Sequence, residues 1–378
     1  MKTFRFLIIA LTMLSSFCLN AEEQQGEIDY ISLAGRLVKD GDYQRAESVL
    51  ANVPEDEQDT TPYLLVKGLL NLYQERFDVA VEVFSEVVKN PVEDRYVWIY
   101  LGQAYFGKKD YQRTLETFSQ AADLSQSIPS VIIIKARAQW ELNQKEVAWQ
   151  TLHQYPNYNT DIRFIRLRVE WLISSGLVQQ AFRITEETIY QNKNTIAELI
   201  ALPTLFAREA AIRESIRLFE ILRLSYPENI NLAVTLAYAY AKAGKYHTAG
   251  DLFQSVALRD HSFSYQAVEL YRKAGRYKEA LRINRRVKDQ SKKFQQRLSI
   301  LIADGAFEEA TSTASDLERL GLLQNEEIRY ALAFAFFKTN QFEEVERHLS
   351  EIQHPDLFKK AIALRKEIDQ CRDTKQCV

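Results

Sequence analysis

Residues 232–253 read LAVTLAYAYAKAGKYHTAGDLF, and this stretch decides the fold. Apolar residues recur every three or four positions on both sides of Gly244, the spacing of two short amphipathic helices joined by a turn. Ala237 and Ala249 stand where the two helices have to touch. Tyr240, Tyr246 and Phe253 are placed to fill the space around them. Gly244 supplies a residue that tolerates the left-handed backbone of a tight helix–helix turn.

Working outward from Ala249, an equivalent small residue returns as Ala46, Ala80, Thr114, Ala148, Ala181, Ser215, Ala280, Ala310 and Val345, mostly at intervals of 33–35 and shortening to 31 and 30 at Ala280 and Ala310. Small residues Ala34, Gly68, Gly102, Ala136 and Ala237 precede these anchors. The aromatics Tyr43, Phe77, Tyr111, Tyr246, Tyr277, Phe307 and Phe342 stand just ahead of them. Leu50, Phe84, Phe118, Leu152, Phe219, Phe253 and Leu349 follow. Gly41, Gly176, Gly244, Gly275 and Gly305 mark the turns. Pro54, Pro91, Pro129, Pro156, Pro227 and Pro355 fall between units. One such helix pair carries apolar stripes on both sides and cannot bury them alone, whereas stacked pairs can.

This pattern resembles the tetratricopeptide repeat over roughly residues 28–355, weakening at 162–190 and 265–317. The resemblance implies an all-α superhelical solenoid of about ten helix–turn–helix units (22–355), closed by a helix at 356–370 with Phe358, Ala361, Ile362 and Ile368 on its apolar side. It also implies that the first helix of each unit lines a concave groove for a peptide or protein. Carried onto this chain, the lining is Tyr96, Tyr100, Gln103, Phe106, Arg137, Trp140, Arg163, Arg166, Glu170, Arg208, Tyr238, Tyr265, Glu269, Arg272 and Lys273. Aromatics and arginines suit a binding face because they bring large area and directional bonds at modest entropy cost. The lysine–asparagine clamp that some family members use for acidic tails is not recognisable here.

The N-terminus stands outside this pattern. Lys2 and Arg5 precede an apolar run at 6–14 and a small-residue region at 15–21, the layout of a secretory signal cleaved after Ala21. Acylation of Cys18 is a rival reading, disfavoured by Phe17 before it. An uncleaved anchor is disfavoured because the apolar stretch falls short of the roughly 20 residues a membrane helix needs. Cleavage moves the formal net charge from −3 to −5, which does not favour nucleic acid. The mature chain is expected outside the cytoplasm, in the periplasm if bacterial.

In that compartment Cys371 and Cys377, in the tail 371–378, are a disulfide candidate. On a continuing helix they would lie about 9 Å apart along the axis, too far to bridge, so a bond implies that the helix ends near Gln370. Free thiols or a bridge to a partner are the alternatives. The histidines His153, His247, His261, His348 and His354 form no ligand spacing, and no nucleophile elbow or phosphate-cradling loop is present. No metal, no cofactor and no catalytic activity are expected.

Charge is uneven. Residues 272–297 hold eleven basic residues, among them Arg276, Lys278, Arg282, Arg285 and Arg286, against two acidic ones. Residues 304–351 hold eleven acidic against four basic. The leading expectation is an adaptor docking another envelope protein or peptide. The alternative is a module that binds anionic polysaccharide or lipid head groups through 272–297.

Overall fold

In a computed structural model, residues 29–89, 94–208 and 211–374 are described. The expected signal segment, Pro91 and Cys377 lie outside them. Among the described residues the chain is all-α. It divides between Pro156 and Asn157 into two compact units.

The N-terminal unit is four helical hairpins. They are α1 (Tyr30–Lys39) with α2 (Tyr43–Leu50), α3 (Thr61–Tyr73) with α4 (Phe77–Val87), and α5 (Tyr96–Gly107) with α6 (Tyr111–Ser119). A short α7 (Ala122–Ser127) precedes the fourth pair, α8 (Pro129–Glu141) and α9 (Lys145–His153). The C-terminal unit continues with α10 (Ile162–Ser174) and α11 (Val178–Gln191), α12 (Ile196–Arg208) and α13 (Ile212–Ser225), then α14 (Ile230–Lys242) and α15 (Tyr246–Ala257). There follow α16 (Ser264–Lys273) and α17 (Tyr277–Asn284), and α18 (Gln290–Asp304) with a second helix broken into α19 (Phe307–Thr311) and α20 (Ala314–Arg319). Next come α21 (Glu326–Lys338) and α22 (Phe342–Leu349), and last α23 (Pro355–Thr374). Within each unit, helices pack against their sequence neighbours, and first helices of successive hairpins touch, as α1 does α3 and α16 does α18. This is the solenoid arrangement of tetratricopeptide-type hairpins.

Local chemistry explains the boundaries. Asp29, Asp42, Asp110, Asp161, Asn229, Asp289 and Asn325 cap their helices, each side chain accepting a first-turn backbone N–H. Pro129 sits in the first turn of α8, where its missing N–H has no partner to lose. All ten anchors, from Ala46 to Val345, are completely buried. In the second and third hairpins the contact is closest, because a Cβ built on Gly68 would fall 2.4 Å from the Phe84 ring, and one on Gly102 2.4 Å from that of Phe118.

The turns bear out the five glycines and add other residues in the same conformation. Gly41, Gly176, Gly244, Gly275 and Gly305 take positive φ, but the equivalent residues elsewhere are Glu75, Lys109, Asn143 and Asn340. Asparagine bears this backbone readily, while Glu75 and Lys109 carry a left-handed cost of roughly 1–2 kcal/mol each. The short spacings expected near 265–317 accompany short helices, α16 of 10 residues and α17 of 8, and the next second helix is broken into α19 and α20. Pro203 lies inside α12, where Thr204 Oγ1 donates to the Ile200 carbonyl at 2.9 Å.

α23 runs to Thr374, past the boundary expected at Gln370, and carries Cys371 within it. Its packed face is Ala361, Leu364 and Ile368, at helical spacing against the α21 and α22 core. Phe358 and Ile362, expected on that side, are instead 43% and 51% exposed. Ile362 follows Ala361 by one residue, a step of about 100° round the helix.

His348 of α22 is an oddity of this core. It is 2% exposed, stacked on Phe336 at 5.5 Å, and neither ring nitrogen has a hydrogen-bond partner among the described residues. Burial holds its pKa below the usual 6.5, and Arg347 and Arg329 push the same way against Glu344 and Glu318. A depressed folded-state pKa means that the unfolded chain binds the proton more readily. The stabilisation is therefore complete above about pH 6.5 and is lost as pH falls through the folded-state value. Melting between pH 7.5 and 5 should show the C-terminal unit weakening on acidification, with the trend reduced in His348→Phe. An unchanged trend in that variant would exclude His348 as its source.

Candidate functional site

On a helix, positions 3, 4, 7 and 11 residues apart share a face. On the first helices one such face stays clear of the core. In the N-terminal unit it carries Tyr73 at the end of α3, Tyr96 and Gln103 on α5, and Arg137 on α8. Tyr73 is 50% and Tyr96 45% exposed, while Gln103 and Arg137 are half-buried. Tyr100, four residues after Tyr96 and three before Gln103, shares that face, and it and Phe106 also pack: Tyr100 stacks on Phe84 at 5.9 Å, and Phe106 meets Tyr111 at 5.6 Å. Trp140, also half-buried, has the Lys145 ammonium 5.1 Å from its ring centroid.

Aromatics of this unit pair across hairpins. Tyr43 and Tyr73 stack at 6.2 Å with planes 12° apart. Burial raises the Tyr100 phenol above its usual pKa of 10, and nearby Tyr73, Asp94 and Tyr96 add to it. Tyr43 and Tyr73 thus join the first two hairpins, and Tyr73 lies near enough to Tyr100 of the third to act on it electrostatically, as Tyr96 does. Tyr43 and Tyr73 were missed as binding residues in the sequence. The available signal was that Tyr73 stands seven residues before its anchor Ala80, as Lys273 does before Ala280.

In the C-terminal unit the face opens on α10. Arg163 is committed to the helix cap, donating Nε to Asp161 Oδ1 at 3.0 Å and Nη2 to Oδ2 at 2.6 Å. Those bonds hold the Asp161 carboxyl below its usual range. Arg166 is exposed and Glu170 half-buried. α12 carries Arg208, whose side chain lies outside the described residues. Tyr238 on α14 is 53% exposed and meets Phe253 edge-on at 5.1 Å.

Farther along, α16 and α18 bring five groups together. Gln296 Nε2 donates to the Tyr265 carbonyl at 3.0 Å and to Glu269 Oε1 at 2.9 Å, and Arg272 Nη2 donates to Glu269 Oε2 at 3.0 Å. The Lys292 ammonium stands 5.8 Å from the Tyr265 ring centroid, and Lys273 lies 5.7 Å from that of Tyr246. Burial raises the Tyr265 pKa, with Glu269 adding and Arg272 opposing. Gln296 and Lys292 were not foreseen; they complete the set from the following hairpin.

The basic stretch divides. Arg276 binds Glu279 and donates Nη1 toward His247 Nε2 at 2.8 Å, and Arg282 donates to Gln254 at 3.3 Å. Lys278, Arg285 and Arg286 are exposed and have no ion pair among the described residues. No helix among the described residues is long and apolar enough to cross a membrane. The pairing of Cys371 with Cys377 falls outside the described residues.

Residues 65–127 match the tetratricopeptide repeat family model. No curated protein matches the chain in sequence. Among solved structures, it is similar to the C-terminal part of a TPR repeat-containing protein from Cytophaga hutchinsonii, at 12% identity and TM-score 0.43, over 63% of this chain and 95% of that one. A tetratricopeptide repeat protein from Parabacteroides merdae matches at 15% identity and TM-score 0.30, over 72% and 97%. A pentatricopeptide repeat protein from maize matches at 14% and TM-score 0.45, over 87% and 55%. None of these likenesses carries a function across.

Proposed function

We propose that this chain is a non-enzymatic, exported adaptor that holds a protein or peptide partner on the first-helix face of its hairpins. Repeats of this kind are typical interaction scaffolds, because a stacked array offers a broad surface while each hairpin keeps its own core. The observation that carries the reading is the pair of half-exposed first-helix tyrosines, Tyr73, which stacks on Tyr43, and Tyr96. Tyrosines placed this way contribute area and a hydroxyl with few torsions to freeze, and such residues dominate measured interfaces. Export rests on the N-terminal signal pattern, and the envelope is the compartment that this pattern implies.

The test is site-specific photo-crosslinking. A photoreactive phenylalanine at Tyr73 or Tyr96, in whole cells, should give discrete adducts, and one at exposed Lys109 should not. Tyr73→Ala and Tyr96→Ala should each weaken recovery of the captured partner by about 2 kcal/mol, roughly thirtyfold. Identical adducts at all three positions, or recovery untouched by both substitutions, would count against the reading. Mass measurement of the mature protein tests export separately, the expected first residue being Glu22.

A second reading is favoured by the unpaired cations Lys278, Arg285 and Arg286. If they hold an anionic glycan or lipid head group, retention should fall steeply with salt, since exposed charges are screened beyond about 8–10 Å. Reversing Arg285 and Arg286 to glutamate should then abolish retention.

A further inference from the structure

Tyr190, Leu224 and Leu258 are 69%, 85% and 62% exposed, and lie 34 residues apart in sequence. Each stands nine residues after its anchor (Ala181, Ser215 or Ala249), at the C-terminal end of α11, α13 or α15. The other seven hairpins put Glu55, Lys89, Asp123, Asn157, Asp289, Arg319 and His354 at this position. A polar residue is what a solvated helix end calls for. Single exposed apolar residues are ordinary, but three in one register of successive hairpins, against seven polar ones, mark a surface that is covered in use.

Beside this row, a cavity of about 220 Å³ opens between the ends of α13 and α15. Arg223 and Arg259, the immediate sequence neighbours of Leu224 and Leu258, line it together with Asn229 and Ser255. Arg259 is engaged by the Glu228 side chain and donates Nη1 to the Glu228 carbonyl at 3.3 Å. Arg223 has no ion pair, and its Nη1 no acceptor, among the described residues. A carboxylate entering the cavity would give the Arg223 guanidinium the charged partner that no described residue supplies. The start of α14, capped by Asn229, forms part of the same wall and adds a favourable dipole. Two arginines against one glutamate leave the cavity short of one negative charge.

We infer that the helix ends at Tyr190, Leu224 and Leu258 are a second docking surface, for a partner-protein segment that sets an acidic side chain between large apolar ones. The carboxylate enters the Arg223–Arg259 cavity, and the apolar flanks cover Leu224 and Leu258. This surface is separate from the first-helix face and does not depend on it.

The experiment uses the full purified chain. A library of displayed random dodecapeptides is panned on the wild type and on the double variant Leu224→Asp/Leu258→Asp, which should melt like the wild type because both side chains are exposed. The expected result is enrichment, on the wild type only, of sequences with Asp or Glu flanked by Leu, Ile or Phe. The best peptide, made synthetically and labelled, should bind at least tenfold more weakly to the double variant, to Arg223→Gln and to Arg259→Gln. It should also weaken at least tenfold when its acidic residue becomes the amide, and should bind Tyr73→Ala/Tyr96→Ala unchanged. No enrichment over the double variant, or equal affinity for acid and amide peptides, would overturn the inference. So would phosphatidylglycerol-vesicle binding that the double variant loses while no peptide distinguishes it, since the row would then face a lipid surface.

Discussion

Gly68→Ala is expected to destabilise the second hairpin by about 1–3 kcal/mol, a cost out of proportion to one methyl group. The added carbon would fall 2.4 Å from Phe84 Cε1 and 2.7 Å from Cζ, and Phe84 is completely buried, so its ring has nowhere to swing. Phe84→Ala should cost more, about 3–5 kcal/mol, because it empties the same space. The informative variant is the double one. This chain fills the corresponding pair of positions with Ala34 and Leu50 in the first hairpin, Ala136 and Leu152 in the fourth, and Ala333 and Leu349 in the tenth. Gly68→Ala/Phe84→Leu copies that solution and should be more stable than Gly68→Ala alone. Such a recovery is a coupling energy between touching residues. Hydrogen exchange of the α3 and α4 amides reads it locally, and strictly additive losses would show that the two positions do not share one space.

The second large effect concerns the C-terminal helix. Leu364 and Ile368 are 4% and 6% exposed against the last hairpin. Truncating each to alanine should cost about 2–5 kcal/mol, enough together to detach α23 and expose the apolar side of α21. Ile362→Ala, on the same helix but half exposed, should change stability by well under 1 kcal/mol. The check is the urea midpoint of each variant together with dye binding to exposed apolar surface. Similar midpoints for all three would mean that α23 does not seal this end.

Much of the architecture could be read from residue types because the constraint is severe. A position with no room accepts only a small side chain, so the ten anchors announced themselves. Positions allowing several solutions did not. Glu75 and Lys109 occupy left-handed turns that glycine would fill more easily, so a search for glycine passes over them. On α23 the eye goes to Phe358, the largest apolar residue, but helical angle places Leu364 in the core instead. The candidate surface was harder still. Tyr96 and Tyr238 are found by their place on first helices, Tyr73 by sharing the register of Lys273, whereas the row at Tyr190, Leu224 and Leu258 shows when exposure is compared across hairpins. Phe106, expected on the binding face, also packs on Tyr111, because type and period alone do not separate a seam from an open face.

The pairing of each helix with its sequence neighbours has a consequence for how the chain acquires its structure. Almost nothing in a hairpin waits for residues far away, so loop-closure entropy is small at every step and ordering can begin at several hairpins independently. During synthesis the leading hairpins can settle while later ones are still being made. The vulnerable moment then comes at the growing edge, where the newest hairpin shows a sticky flank until the following one arrives.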